Sequence, residues 1–277
     1  MEKAKKIKRF VVIAILVLAL ILGGFAIGFK IYTSHYYATD VDALIKSTNE
    51  YEDKVLSFSD KDGAVFLPKD KNYRAIIVFY PGAKVEYTAY SSLMYELASR
   101  GFVCLLTRMP ENIALLSVDA IDSMVPWTVK RQEAAVELDW YMAGHSLGGT
   151  AATKYLEELF SDDKERSPED ESSINIVRDA IHFKGLILCG SYPSFDISNA
   201  PIRLLSIYGS NDEVLNMNAY EENKANWPKD STEIVIDGGN HSYFGTYGIQ
   251  DGDGTPSISN QEQIDITAQI IDDWIGK

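Results

Sequence analysis

The chain has 277 residues and is 46% hydrophobic, so it can bury one large core or two modest ones. Its formal net charge is −14; five basic residues and Glu2 give residues 1–9 a charge of +4, which leaves −18 on the remainder. A surface this acidic argues against nucleic acid and anionic lipid headgroups as partners. The two cysteines show no metal-ligand spacing, so neither a metal site nor a cofactor is predicted.

The N-terminal stretch is predicted to be a membrane anchor. Residues 10–29 carry no charge, and twenty helical residues at about 1.5 Å each span about 30 Å, the thickness of the bilayer hydrocarbon. The basic residues 1–9 form a predicted cytoplasmic tail, and the positive-inside tendency places everything after the single span outside the cytoplasm. A cleaved signal peptide is the competing interpretation, because Gly24, Ala26 and Gly28 are small residues of the kind found near cleavage sites.

Residues 30–50 are predicted to be a juxtamembrane segment. Within it, Thr39 is a predicted N-cap for a short helix that runs to about Ser47 and would hold the following domain away from the membrane.

Residues 51–277 alternate strands with helices. Apolar runs predict strands at residues 55–59, 64–67, 75–80, 102–107, 138–143, 185–189, 203–208 and 233–236. Helical spacing predicts helices at 87–100, within 113–136, at 150–160 and at 261–275. This order predicts an α/β fold with a mostly parallel central sheet covered by helices on both faces. Residues 161–173, SDDKERSPEDESS, contain no apolar residue and are predicted to be a solvated insertion.

The segment Gly144-His145-Ser146-Leu147-Gly148-Gly149 has the G-x-S-x-G spacing of a nucleophile elbow. A strand is predicted before it and a helix after it, so the backbone turns sharply at Ser146, and glycines on both sides remove the Cβ atoms that would clash. The turn presents the Ser146 hydroxyl at the end of the strand. The amide of Leu147, at the start of the helix, is a predicted oxyanion donor.

A serine nucleophile needs a base, and the chain has four histidines. His241 follows the strand 233–236 in a loop at a carboxyl strand end, where parallel sheets place their chemistry, so it is the predicted base. The carboxylate that orients it is predicted to come from the end of the preceding strand, with Asp212 favoured over Glu213. The order Ser146, Asp212, His241 is the chain order of a nucleophile-elbow triad.

A second oxyanion donor is expected from the loop after strand 75–80. Its residues Pro81-Gly82-Ala83-Lys84 allow close backbone approach, and the amide of Ala83 is favoured, with Gly82 as the alternative.

These motifs carry a resemblance. The chain resembles the α/β-hydrolases, and within them the bacterial dienelactone-hydrolase-related esterases, from about residue 40 to the end. The resemblance rests on GHSLGG, FYPGAKVEYTAYSSL, TRMPENIA, YGSND and GGNHSYFGTYGIQDGDG. Dienelactone hydrolases proper use a cysteine nucleophile, so their lactone substrate does not transfer to Ser146. The sheet order of the family places Cys104 and Cys189 on strands separated by two others, roughly 14 Å apart, which implies free thiols.

The resulting prediction is a membrane-anchored serine hydrolase at the cell membrane, with its catalytic domain extracytoplasmic. A carboxylesterase acting on a small-molecule ester is favoured. Two alternatives stay open: other acyl chemistry (thioesterase, amidase or acyltransferase), which the same triad supports, and a non-catalytic surface binding protein on a hydrolase fold. The sequence sets no oligomeric state.

Overall fold

The computed structural model describes residues 2–131, 138–161 and 181–277. The chain divides into two units, Met1–Tyr36 and Tyr37–Lys277. The first unit is the helix α1, Glu2–Ser34. Its stretch Lys6–Ser34 contains an 18-residue window with a mean hydropathy of 3.1 and is long and apolar enough to cross a membrane, so it is a candidate span that includes the predicted anchor 10–29.

The second unit is an eight-stranded sheet with helices. Its strands are β1 Val55–Ser59, β2 Gly63–Pro68, β3 Ala75–Tyr80, β4 Phe102–Thr107, β5 Trp140–His145, β6 Phe183–Cys189, β7 Arg203–Gly209 and β8 Ser231–Ile236. Its helices are α2 Val41–Glu50, α3 Ser91–Ser99, α4 Ala120–Arg131, α5 Leu147–Phe160, α6 Met217–Glu222 and α7 Asn260–Ile275. The strand order is β1-β2-β4-β3-β5-β6-β7-β8. Pairs β1–β2 and β2–β4 are antiparallel and the other five are parallel, so the predicted α/β fold is confirmed.

Successive side chains of the central strands enter two different cores. In β3, Ile77 and Phe79 join a buried cluster with α3 and α7, whereas Ile76 and Val78 join the cluster on the other face with α4 and α5. This follows from the two-residue period of a strand, and it explains why β3 reads as an unbroken apolar run. The sheet is therefore packed on both faces, and the loops at the carboxyl ends of its strands start from buried positions.

The start of the second unit differs from the prediction. Asp40, and not Thr39, is the N-cap of α2, because its carboxylate accepts the amide of Ala43 at 3.0 Å. The Thr39 hydroxyl is engaged elsewhere, 2.6 Å from that of Thr88.

Helix α2 is also part of the compact unit. The Ser47 hydroxyl donates to that of Ser92 on α3 at 2.8 Å, and both residues are buried. The helix therefore packs against α3 as part of the second unit.

Most of the other predicted elements are present with shifted ends. Strand β5 continues to His145, because Gly144 and His145 still pair with β6. Helix α5 begins at Leu147, directly after Ser146. The predicted helical region 113–136 contains α4, and residues 132–137 lie outside the described residues, as does the predicted insertion 161–173 beyond Ser161.

Candidate active site

The four loops that carry the predicted site residues leave neighbouring strands at one edge of the sheet. Ala83 follows β3, Ser146 follows β5, Asp212 follows β7 and His241 follows β8. Strands β3, β5, β7 and β8 are parallel members of one sheet, with only β6 between β5 and β7. Since parallel strands end at the same edge, these loops lie side by side there.

Ser146 lies on a strained turn. Its φ of 52° and ψ of −125° are a conformation that residues with a side chain seldom adopt. The turn is tight enough that a Cβ on Gly144 would lie 2.5 Å from the amide nitrogen of Gly149, which explains the glycine at that position. As a result Ser146 is half-buried at the N-terminus of α5, and the Leu147 amide is among the first amides of the helix, which have no intrahelical acceptor.

Asp212 and His241 form a buried pair. His241 Nδ1 lies 2.9 Å from Asp212 Oδ2, and each side chain is 1% exposed. The second oxygen of Asp212 accepts the amides of Val214 at 3.0 Å and Leu215 at 2.8 Å, so the carboxylate is fixed. Because a carboxylate only accepts, Nδ1 of His241 donates and Nε2 is the nitrogen that carries a lone pair in the neutral ring.

That Nε2 is buried and has no hydrogen-bond partner among the described residues. No hydrogen bond from Ser146 Oγ to it is formed either, within the same residues; such bonds commonly tighten only when substrate is bound. The chain neighbour of Ser146 contacts the base, since the rings of His145 and His241 are 4.5 Å apart between centroids. Gly190 packs against the pair as well, because a Cβ there would lie 2.8 Å from His241 Nδ1.

The loop that carries His241 is fixed by side chains that the sequence did not single out. Asp253 accepts the amides of His241 at 3.2 Å and Ser242 at 2.8 Å. Gln263 on α7 both accepts the Asn240 amide at 2.9 Å and donates to its carbonyl at 2.8 Å. Asp253 therefore positions the backbone of His241.

The loop after β3 separates the two candidate oxyanion donors. The Gly82 amide donates to the Tyr90 hydroxyl at 3.0 Å, so it is occupied. No hydrogen bond of the Ala83 amide is recorded within the part of the chain that the structure describes, and Ala83 is half-buried. Of the two alternatives, the geometry therefore favours Ala83 as a donor free to meet a developing oxyanion.

A chain of hydrogen bonds connects this loop to the histidine loop through His145. Tyr90 Oη lies 2.8 Å from His145 Nδ1, and His145 Nε2 lies 3.0 Å from the carbonyl oxygen of His241. A carbonyl only accepts, so Nε2 carries the proton, Tyr90 donates to Nδ1, and Gly82 donates to Tyr90. Burial, and then the neighbouring His241, hold the pKa of His145 well below its ordinary value, so the ring stays neutral in this tautomer.

His145 was not identified from the sequence as part of this hydrogen-bonded chain. No pattern in the sequence marked Tyr90 as its partner, because the two are joined only by the fold, 55 residues apart. Among the residues that the structure describes, no group of three or more His, Cys, Asp or Glu side chains could hold a metal ion. Cys104 and Cys189 are buried and free, on β4 and β6, with two strands between them as predicted.

Comparison with known proteins is consistent with this architecture. The sequence profile of the alpha/beta hydrolase family matches residues 76–167 and 171–265, more than half of the chain. No curated protein sequence matches it. The crystal structure of a dienelactone hydrolase from Anabaena variabilis is similar, with a TM-score of 0.50 and 16% sequence identity over 80% of this chain and 95% of that one. At that identity the similarity concerns the fold.

Proposed function

Because the chain belongs to the α/β-hydrolase family, we propose that it is a serine hydrolase that cleaves carboxylic esters at the edge of the sheet where Ser146 and His241 lie. The observation that carries the proposal is the buried Asp212–His241 pair, 2.9 Å apart, beside a strained serine at a helix N-terminus. A structural histidine would use both ring nitrogens, whereas Nε2 of His241 has no partner among the described residues. A buried base with a free lone pair is what a serine nucleophile requires.

The proposed reaction is acyl transfer to water. As Ser146 Oγ attacks the ester carbonyl carbon, His241 Nε2 takes the hydroxyl proton, and Asp212 stabilises the imidazolium that forms. The amides of Leu147 and Ala83 hold the tetrahedral oxyanion. Its collapse breaks the bond to the alcohol, which leaves with the proton from His241. Water then attacks the acyl-enzyme with His241 as base, which releases the carboxylic acid and restores Ser146.

The candidate span Lys6–Ser34 supports a second part of the proposal, that the enzyme is anchored in the cell membrane with the catalytic unit outside the cytoplasm. The basic residues before the span favour this orientation. Removal of the helix as a signal peptide is the alternative. The apparent mass of the mature protein distinguishes the two, because an anchored chain keeps the helix and a cleaved chain lacks it.

Labelling of the serine tests the proposed chemistry directly. The full-length chain in detergent micelles is treated with a fluorophosphonate probe, alongside Ser146→Ala and, as a matched control, Ser99→Ala, which removes another half-buried serine hydroxyl at the end of α3. Wild type and Ser99→Ala should label and hydrolyse p-nitrophenyl esters, and Ser146→Ala should lose about 1000-fold or more of the rate. Equal labelling of all three folded proteins would reject Ser146 as the nucleophile.

A substrate series then separates ester hydrolysis from other acyl chemistry. The same samples are compared on p-nitrophenyl esters of increasing chain length, on a thioester, on an anilide, and with an alcohol as competing acceptor. The proposal expects the highest kcat/KM on an ester with water as acceptor, and a preference for another of these reactions would replace it.

A further inference from the structure

The first residues of the second unit are bonded to the loop that carries Ala83. We call residues 37–40 the strap. Tyr37 forms an isolated parallel bridge to Val85. Its amide donates to the Lys84 carbonyl at 2.7 Å, and its own carbonyl accepts the Glu86 amide at 2.9 Å. The Thr39 amide adds a third bond, to a carboxylate oxygen of Glu86 at 2.9 Å.

The other side of the strap is bonded to the loop after His241. The Asp40 amide donates to the Thr246 carbonyl at 2.7 Å. The Tyr37 hydroxyl accepts the Asp251 amide at 3.0 Å, and its ring packs on Tyr247 with 5.8 Å between centroids. The strap therefore lies between the two loops and is bonded to both.

These bonds fix the residue that follows Ala83. Lys84 has a φ of 57°, which is unusual for a residue with a side chain, and its amide donates to the Asn112 carbonyl at 2.7 Å. The Lys84 carbonyl accepts the Tyr37 amide, so both backbone polar groups of Lys84 are hydrogen-bonded. Gly82 is fixed by Tyr90 on the other side. Ala83, whose amide has no partner among the described residues, thus lies between two neighbours that are each held by distant parts of the chain.

We propose that the strap is a positioning element of the active site: it directs the Ala83 amide towards the oxyanion and maintains the spacing between that loop and the His241 loop. This inference rests on the proposed function, since it assigns Ala83 a role in ester hydrolysis. No residue of the strap touches the reacting atoms. Its contribution is preorganisation, because a donor that is already aimed need not be reoriented as charge develops.

Two substitutions at neighbouring positions test the bridge in the full-length chain. Tyr37→Pro removes the amide that donates to the Lys84 carbonyl, together with the phenol that accepts the Asp251 amide. Ala38→Pro is the control for a proline in this stretch, because Ala38 is exposed and, among the residues that the structure describes, its backbone bonds neither loop. Tyr37→Pro should lower kcat on a short p-nitrophenyl ester about 10- to 100-fold with little change in KM, since an oxyanion donor acts only in the transition state. Ala38→Pro should stay within about 2-fold of wild type.

A transition-state analogue distinguishes positioning from general damage. A trifluoromethyl ketone forms a hemiketal oxyanion on a serine, so its Ki should rise across the variants in proportion to the fall in kcat/KM. A variant that merely lowers the folded fraction would reduce the number of active sites, measured by fluorophosphonate titration, and leave Ki unchanged.

Glu86 provides a test that leaves the strap backbone intact, should Tyr37→Pro fail to fold. Glu86→Ala removes the acceptor of the Thr39 amide, and Glu86→Gln keeps an oxygen there. We expect Glu86→Ala to lower kcat several-fold and Glu86→Gln to recover most of it. Wild-type values of kcat and Ki in folded Tyr37→Pro, or in Glu86→Ala where Tyr37→Pro does not fold, overturn the inference. A wild-type chain that neither labels nor hydrolyses esters overturns the proposed function, and the inference with it.

Discussion

Substitution of Tyr90 by phenylalanine isolates the hydrogen-bonded chain that runs from the oxyanion loop to the histidine loop. Tyr90 and His145 are 0% exposed, and the phenol bonds the Gly82 amide at 3.0 Å and His145 Nδ1 at 2.8 Å. Removing the hydroxyl leaves two buried polar groups without partners, at about 1–3 kcal/mol each. The free energy of unfolding should therefore fall by about 2–5 kcal/mol.

Tyr80→Phe is the matched control for that substitution. The Tyr80 hydroxyl is also buried and also has two partners, donating to the Val118 carbonyl at 2.7 Å and accepting the Ile121 amide at 3.1 Å. Its ring lies in the core cluster on the opposite face of the sheet. The two variants should thus lose similar stability, measured by urea unfolding.

Activity should separate the two variants. Tyr90→Phe removes the acceptor of the Gly82 amide, so the orientation of the neighbouring Ala83 amide is no longer fixed from that side. Complete loss of an oxyanion donor costs about 3 kcal/mol, a factor of about 160, and a donor that is only misdirected costs less, so we expect kcat to fall about 10- to 100-fold with KM nearly constant. Tyr80→Phe should keep kcat within about 3-fold. If both variants lost stability equally and both kept wild-type kcat, the chain through Tyr90 would be structural only, and our reasoning about the Ala83 amide would be refuted.

Three further predictions concern charge and reactivity. Asp212→Asn should lower kcat about 100-fold or more, because the amide cannot stabilise the imidazolium of His241, and steady-state ester hydrolysis measures the loss. The pKa of His145 is lowered in the folded protein, so below about pH 6.5 His145 is protonated in the unfolded chain and neutral in the folded one. As the pH falls, the free energy of unfolding therefore decreases by up to about 1.4 kcal/mol per pH unit. In His145→Gln this contribution to the decrease should be absent when the free energy of unfolding is measured in urea between about pH 7.5 and 5. Burial raises the pKa of Cys189 to about 12 and that of Cys104 further, so neither thiol should react with iodoacetamide in the native protein, and both should react after denaturation, as mass spectrometry can count.

The sequence identified those parts of the site whose chemistry is local. The turn at Ser146 needs glycine where the backbone passes within 2.5 Å of itself, and that need is visible as a short motif. Asp212 and His241 were identifiable because each follows its own strand, and parallel strands bring their ends together. The architecture followed from apolar runs for the same reason, since a strand buried on both faces has no alternation.

What the sequence did not predict depends on contacts between distant segments. The Tyr37 hydroxyl meets the Asp251 amide across 214 residues, and nothing near either residue indicates the other. Asp253 and Gln263 resemble ordinary turn and helix residues until the fold places them against the His241 loop. The N-cap of α2 was predicted one residue too early. Thr39 and Asp40 are both good N-cap residues, and only the contact of Thr39 with Thr88 decides between them.

The strap also limits where the chain can be cut. A fragment that begins at residue 51, the domain boundary expected from sequence, would lack both the strap and α2, and would leave the Lys84 carbonyl and the Glu86 amide without the partners that Tyr37 supplies. A fragment that begins between residues 31 and 36 keeps every one of these bonds. The same limit applies to a signal peptidase: cleavage before Tyr37 would release the second unit with all of these bonds, whereas cleavage only a few residues later would remove them. Residues that resemble a linker after the apolar helix thus form the amino-terminal boundary of the second unit.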